Sequence, residues 1–275
     1  MKLYTHMNVD LDNASTSALL LLWNKDYSID DINFVPASWE PEGELSSNEM
    51  AFDIFAGGHG LKGKTIQMAG RQGIGSAFTL ILEDHINNKL YTKAFRHFAE
   101  FLDSLEATGN WNDYYDAAGY KIPSSFPTIH QAFFALKHKY KKDDKMIVSR
   151  WKDIMEGMLL KEESRDRAKK EVKNARWFTD NIAYIKNTKE PFTSFMLFNK
   201  GAEYVIYEKT SNNTLGVRRT PKSTKHLGKH LEPHLPKWFH HPSGFLSCWG
   251  TDKAPQETPP EIDAKYLAEL VEIIK

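Results

Sequence analysis

The start of the chain predicts a strand, a turn and a helix, and residues 2–15 of this segment read KLYTHMNVDLDNAS. Residues 2–6 favour a short strand, and the leucine-rich stretch 14–23 favours a helix with hydroxyl side chains in its first turn. This succession is typical of an open α/β sheet, in which ligands bind outside the carboxyl ends of the strands. The turn after residue 6 is therefore a candidate functional site.

Three potential metal ligands, His6, Asp10 and Asp12, fall within seven residues of this turn. Neutral imidazole and hard carboxylate oxygens suit manganese, and also zinc, iron or magnesium. The two aspartates are two positions apart, so one could bridge two ions while the other binds a single ion. The alternative is that Asp10 caps the helix and His6 only ends the strand, and the spacing alone leaves both interpretations open.

Residues 1–143 are expected to form an α/β domain with a mainly parallel sheet, because predicted strands alternate with predicted helices. Its further strands are predicted at 32–36 and 50–55, and its further helices at 76–86 and 91–106. The glycine-bearing residues 70–76 could hold a phosphate at the start of the first of these helices, or could only allow close packing.

A smaller mixed α+β domain is expected at residues 186–275, after a linking segment at 144–185 that is dominated by a predicted helix at 144–177. Its strands are predicted at 193–197, 202–207 and 214–218, with a helix at 261–274.

The net charge of zero, from 36 basic and 36 acidic side chains, excludes a broad basic surface for non-specific duplex binding. Residues 1–136 carry 9 basic and 17 acidic side chains, whereas residues 137–241 carry 24 and 13. This asymmetry indicates a cation-binding first part and an anion-binding second part, although charged helical faces would produce the same counts.

Other classes of protein are disfavoured by composition. The longest apolar run, residues 18–23, is far shorter than the roughly 20 residues of a membrane helix. The first residues lack an apolar signal core, which favours a soluble cytoplasmic protein. Cys248 stands alone, so neither a disulfide framework nor a thiolate zinc cluster is expected.

Residues 5–15 resemble motif I of the DHH phosphoesterase superfamily, which has His, three residues, Asp, one residue, Asp and then a helix of small residues. Phe52-Asp53 resembles motif II, and the predicted helix that reaches Asp103 resembles motif IV. The superfamily includes manganese pyrophosphatases, RecJ-type exonucleases, oligoribonucleases and cyclic-dinucleotide phosphodiesterases. The resemblance implies one or two divalent ions, Mn²⁺ first, and a metal-activated water. The implied ligands are His6, Asp10, Asp12, Asp53 and Asp103.

Residues 238–246, WFHHPSGFL, resemble the His-x-Ser-Gly-Phe motif of the melanocyte proliferating gene family, an exonuclease-like branch of that superfamily. The resemblance implies hydrolysis of phosphodiester bonds in short oligonucleotides, RNA or DNA. Guanidinium groups and Gly/Ser loops suit oxyanions, so the candidate phosphate-binding residues are Arg218, Arg219, His241, Ser243 and Gly244. A polar surface loop is the alternative.

The Asp-His-His signature of motif III is missing, and the nearest candidate is His59 in Gly57-Gly58-His59-Gly60. The catalytic candidates are therefore Asp12 and His59. If His59 does not replace the missing ligand, the second metal site is altered. The alternative function is then a non-catalytic nucleotide- or metal-binding regulatory protein on the same scaffold. The sequence leaves the oligomeric state open, a homodimer included.

Overall fold

The structure is a computed structural model and describes residues 1–58, 60–61, 65–68, 71–108, 125–251 and 255–274. The chain divides into two compact units, Met1–Glu162 and Glu163–Lys275. Within the described ranges, no helix combines the length and the apolar character that crossing a bilayer requires.

A parallel three-stranded sheet lies in the first unit. Its strands are β1 (Lys2–His6), β2 (Ile32–Val35) and β3 (Glu49–Ala51), in the order β2-β1-β3. Both neighbours run parallel to β1, with Thr5 opposite Phe34 and Tyr4 opposite Ala51. This confirms the predicted α/β class with a parallel sheet. The strand predicted at 50–55 ends early at Ala51, because Asp53 adopts a left-handed φ of 53° that a strand does not accommodate.

The helices of the first unit surround a core rich in aromatic side chains. They are α1 (Leu11–Trp23), α2 (Ala77–Leu80), α3 (Lys89–Thr108), α4 (Ser125–Tyr140) and the part of α5 (Asp144–Lys173) up to Glu162. Strands β4 (Thr65–Met68) and β5 (Arg71–Ile74) form a hairpin. Residues Leu11 to Leu22 of α1 are all buried, the polar residues of its first turns as well as the apolar run from Ala18 to Leu22. The helix predicted at 76–86 is split, because a π-helical turn at Ile81–Ile86 follows α2.

The second unit is built on a six-stranded mixed sheet. Its strands are β6 (Arg176–Thr179), β7 (Ile182–Lys186), β8 (Tyr204–Lys209), β9 (Thr214–Arg219), β10 (Phe239–His240) and β11 (Leu246–Trp249), in the order β10-β11-β9-β8-β7-β6. Only the β7–β8 pair is parallel. The helices are α6 (Thr193–Asn199), α7 (Leu227–Leu231) and α8 (Ala264–Glu272). The faces of the sheet carry separate clusters, one including Leu227 and Leu267 and the other including Leu197 of α6.

Two predicted elements of this unit are wrong. Residues 193–197 form helix α6 rather than a strand, because the parallel strands β7 and β8 require a crossover connection between them. The long helix ends at Lys173 rather than at residue 177, and Trp177 lies on β6, where it pairs with Ala183.

Candidate metal centre

His6, at the end of β1, lies against two carboxylates. Its Nε2 atom is 3.2 Å from Oδ2 of Asp53 and 3.4 Å from Oδ2 of Asp10. One ligand atom from each of the three residues lies within 4.8 Å of the others. Asp53 is only 3% exposed, while His6 and Asp10 are partly buried. The three side chains therefore converge on one point at the carboxyl edge of the sheet and could hold a metal ion.

The other nitrogen of His6 shows that the donor set suits a cation. Nδ1 lies 3.0 Å from the carbonyl oxygen of Met7, which can only accept, so Nδ1 carries a hydrogen. The lone pair of a neutral imidazole would then point from Nε2 at two carboxylates. Burial lowers the pKa of His6, but the hydrogen bonds to Asp10 and Asp53 outweigh it and raise that pKa to about 10. A metal-binding histidine usually donates one ring N–H to a carbonyl, carboxylate or water and binds the ion with the other nitrogen, which here would be Nε2, beside Asp10 and Asp53.

Asp10 has two roles at once. Its Oδ1 atom accepts a hydrogen bond from the amide of Asn13 at 3.1 Å and so caps α1. Its Oδ2 atom is the one near His6. The helix cap and the ligand role, which the sequence left as alternatives, are therefore compatible in one side chain.

Left-handed backbone conformations mark the ends of both strands that carry the ligands. Asn8 has a φ of 60° just after β1, and Asp53 has a φ of 53° just after β3. Asn and Asp adopt this conformation more readily than most residues, but it still carries strain, and such strain clusters at functional sites. These turns direct the chain so that the two strand ends present their polar side chains to each other.

Asp144, at the start of α5, fixes the turn after β1. Its carboxylate accepts from the amides of Asn8 and Val9, at 2.7 and 3.0 Å. The side-chain amide of Asn13 donates to the carbonyl of His6 at 2.9 Å. The role of Asp144 is not visible in the sequence, because it lies more than 130 positions from the turn and looks like an ordinary acidic residue in the first turn of a helix.

Asp12 lies beside this group but points to the start of α2. It is 4% exposed and accepts from the amides of Ala77 and Phe78, at 2.7 and 3.0 Å. Burial raises its pKa well above the ordinary value, and the charges of Asp53 and Asp10 raise it further, although the two amides act in the opposite direction. Asp12 is therefore close enough to the metal-binding candidates to interact with their charge, but its oxygens are engaged elsewhere.

Asp103, a residue of α3, also contacts the start of α2. Its Oδ1 atom accepts from the amide of Ser76 and from the hydroxyls of Ser76 and Thr79, at 2.7 to 2.9 Å. The amides of residues 76–78 thus donate to Asp12 and Asp103. Because these amides are already engaged, the glycine-bearing residues 70–76 are better explained by close packing than by phosphate binding. The structure brings together His6, Asp10 and Asp53 and places Asp12 and Asp103 at a neighbouring position. His59 lies outside the described residues.

In the second unit, three of the five predicted phosphate-binding residues, His241, Ser243 and Gly244, lie in the loop between β10 and β11, and Arg219 at the end of β9 contacts that loop. The guanidinium of Arg219 donates to the carbonyls of Gly244, Thr220 and Ser243, at 3.2 to 3.4 Å, and also to that of Ser223. The Nδ1 atom of His241 lies 2.9 Å from the Ser243 hydroxyl.

Gly244 is required in this loop. Its φ is 69°, and an added Cβ would lie 2.4 Å from Cγ of His226. Arg219 shapes the loop through its bonds to the loop carbonyls, and the side chains of His241 and Ser243 remain at the loop surface.

Arg218 lies apart from these four residues. Successive strand residues point to opposite faces of a sheet, and the guanidinium carbon of Arg218 lies 5.1 Å from the ring centroid of Tyr207, on the face of α6.

Comparison with known proteins identifies no family for this chain. No protein-family model matches it. No curated protein sequence matches it either. Among solved structures, it is similar to a pGpG-specific phosphodiesterase, PggH, from Vibrio cholerae, with a TM-score of 0.35 and 11% sequence identity over 99% of this chain and 98% of that one. A likeness at this level establishes neither a family nor an activity, so the function must be inferred from the site itself.

Proposed function

We propose that this protein is a metal-dependent phosphoesterase of the DHH type that hydrolyses phosphodiester bonds in short oligonucleotides. The observation that carries the proposal is the convergence of His6, Asp10 and Asp53 at the carboxyl edge of a parallel sheet. One imidazole and two carboxylates form a donor set that suits manganese.

The residues of the chain would prepare this site in advance. The bond from Nδ1 of His6 to the Met7 carbonyl keeps Nε2 directed at the carboxylates, and Asp144 holds the turn in place through two amides. A divalent ion held there would supply Lewis-acid stabilisation of phosphate charge and would lower the pKa of a water molecule. Because these bonds already fix the ligands, little reorganisation would accompany metal binding.

A second ion is a further part of the proposal. Asp12 and Asp103 would be its ligands, because both are buried and lie together at the start of α2. His59 is proposed as a further ligand or a proton-transfer group, and its position lies outside the described residues. The proposed catalytic role of Asp12 is to bridge the two ions.

The loop of Arg219, His241, Ser243 and Gly244 is the proposed contact for substrate phosphate. Its exposed hydroxyl and imidazole can donate to an oxyanion, while Arg219 maintains its shape. The excess of basic side chains in residues 137–241, 24 against 13 acidic, supports an anionic substrate.

The test is metal content and turnover measured on the same samples. The purified chain is dialysed against Mn²⁺, analysed for bound metal, and assayed on bis(p-nitrophenyl) phosphate and on a labelled dinucleotide. We expect Asp10→Asn to lose both metal and activity, whereas Asp30→Asn, which changes an exposed carboxylate paired with Lys145, keeps both. Unchanged metal content and activity in Asp10→Asn would refute the proposal.

A regulatory protein that binds metal or nucleotide without turnover is the second candidate. The hydrogen bonds of Asp12 and Asp103 to the start of α2 favour this candidate. Within the described residues, one group of three ligands then converges, which is enough for one ion rather than two. Stoichiometric binding of one Mn²⁺ with no hydrolysis of any diester would support this candidate over the enzyme.

A further inference from the structure

A cavity of about 300 Å³ lies in the second unit, on the face of the sheet that carries α6. Its walls come from the segment between β7 and α6 and from strands β8, β9 and β11. From its charge, its donors and its size, we infer that this cavity binds the phosphate group of a phosphate ester.

The charge of the cavity is positive. Lys189, Lys209 and Arg218 line it, and Glu190 is the acidic residue beside them. The carboxylate of Glu190 accepts from Nε of Arg167 at 2.5 Å and from the hydroxyl of Ser164 at 2.6 Å. Arg167 lies on that carboxylate, so basic side chains outnumber acidic ones in the cavity wall, which favours an anion.

Arg218 supplies the clearest need for an acceptor. Its Nε atom is buried and has no hydrogen-bond partner among the residues that the structure describes. Buried donors are nearly always satisfied, and a guanidinium matches the oxygens of a phosphate well. A bound phosphate would give this donor its partner.

Tyr207 adds a fixed wall and a second donor. It is 8% exposed, and burial raises the pKa of its phenol, so the hydroxyl keeps its proton. Gly216 lies directly beneath the ring, where an added Cβ would be 2.5 Å from the phenolic oxygen. This close contact holds Tyr207, and with it the stacked Arg218, in one position.

The shape of the cavity favours a phosphate ester. An open groove lined by Asn187, Thr210 and Ser211 adjoins it and shares Thr188, Lys189 and Lys209 with it. The phosphate would occupy the cavity, and the polar remainder of the molecule would lie along the groove. This inference does not depend on the metal centre of the first unit.

The test is isothermal titration of the full-length chain in EDTA, with inorganic phosphate in one arm and a nucleoside 5′-monophosphate in the other. EDTA removes any contribution of the metal centre, so failure here leaves the phosphoesterase proposal untouched. We expect the nucleoside monophosphate to bind. Comparing its affinity with that of inorganic phosphate shows whether the cavity recognises an ester or free phosphate.

The deciding variants are two double substitutions that remove the same charge. K189Q/K209Q removes two cavity cations, whereas K186Q/K200Q removes two lysines that do not line the cavity. We expect the first to weaken binding by about tenfold, as for the loss of charge-assisted contacts, and the second by less than about twofold. Arg218→Gln should weaken phosphate-ester binding further. If that variant does not fold, the comparison of K189Q/K209Q with K186Q/K200Q still tests the inference. No binding of either probe by the unsubstituted chain, or equal losses in both doubles, would overturn the inference.

Discussion

Two groups of aspartates in the first unit differ in what faces their oxygens. Asp10 and Asp53 face the imidazole of His6, at 3.4 and 3.2 Å. Asp12 and Asp103 face amide and hydroxyl donors at the start of α2. A carboxylate with several donors is already satisfied, whereas two carboxylates around one imidazole gain from a divalent cation. The supply of donors therefore makes His6, Asp10 and Asp53 the stronger cation site, whereas an ion at Asp12 and Asp103 would compete with the donors at the start of α2.

The largest expected effect is on manganese affinity. Asp53→Asn should weaken Mn²⁺ binding by more than about 100-fold, because ligand loss exceeds the 10–100-fold typical of outer-shell changes. Asp103→Asn should weaken it by less than about threefold if Asp103 mainly holds α2. Titration of Mn²⁺ by calorimetry or electron paramagnetic resonance measures both, and equal losses would show that the two groups form one site.

The next effect separates the groups by stability. Asp12→Ala leaves the buried amides of Ala77 and Phe78 without their acceptor, which should cost about 2 kcal/mol of unfolding free energy. Asp53→Asn, measured in EDTA, should cost less than Asp12→Ala, about 1 kcal/mol, because relief of repulsion from neighbouring carboxylates offsets part of the lost ion pair with His6. Urea denaturation in EDTA measures both values, and a larger loss in Asp53→Asn would contradict the comparison.

A smaller effect is expected at the turn that presents His6. Asp144→Ala removes the acceptor of two amides and should lower stability by about 1 kcal/mol and Mn²⁺ affinity by about three- to tenfold. Asp143→Ala is the matched control, because it removes a cap on Met146 in the same helix without touching the turn. If the control weakened Mn²⁺ binding as much, Asp144 would have no specific positioning role.

The smallest effect concerns the pH dependence of the second unit. Burial alone would raise the pKa of Glu171, but hydrogen bonds from Thr188, Thr193 and the Lys189 amide lower it below the ordinary value. A depressed folded pKa gives stability that is complete above the unfolded pKa of about 4.3 and is lost as the pH falls through the folded pKa.

We therefore expect Glu171→Gln to cost less than about 1 kcal/mol near neutral pH, and its cost to shrink in acid. Thermal denaturation from about pH 3 to 7 measures this, with the exposed Glu232→Gln as control. A cost that did not change with pH would show that the carboxylate charge is irrelevant there.

Local patterns predicted much of the first unit. The strand Lys2–His6 and the helix Leu11–Trp23 follow from short apolar runs on either side of a polar turn, and the parallel sheet follows from the alternation of elements. The strand predicted at residues 193–197 is wrong because these residues, although their side chains favour strands, lie in the crossover between two parallel strands. The topology requires a helix there and outweighs the local strand propensity.

The candidate site was predictable only where spacing carries information. His6 and Asp10 lie in one turn, and Asp53 follows a strand that pairs with β1, so their proximity follows from local pattern and topology. Asp103 receives its donors from Ser76 and Thr79, more than 20 positions away, and Asp144 acts on Asn8 from more than 130. Such contacts arise from tertiary packing, and the residue types alone do not show them.

The most direct measurement is anomalous diffraction at the manganese edge from crystals grown with Mn²⁺. We expect an anomalous peak about 2.2 Å from Nε2 of His6 and from one carboxylate oxygen each of Asp10 and Asp53, as for other divalent ions with these ligands. The absence of any peak beside His6, Asp10 and Asp53 would contradict this site, whether or not a second peak lies beside Asp12 and Asp103.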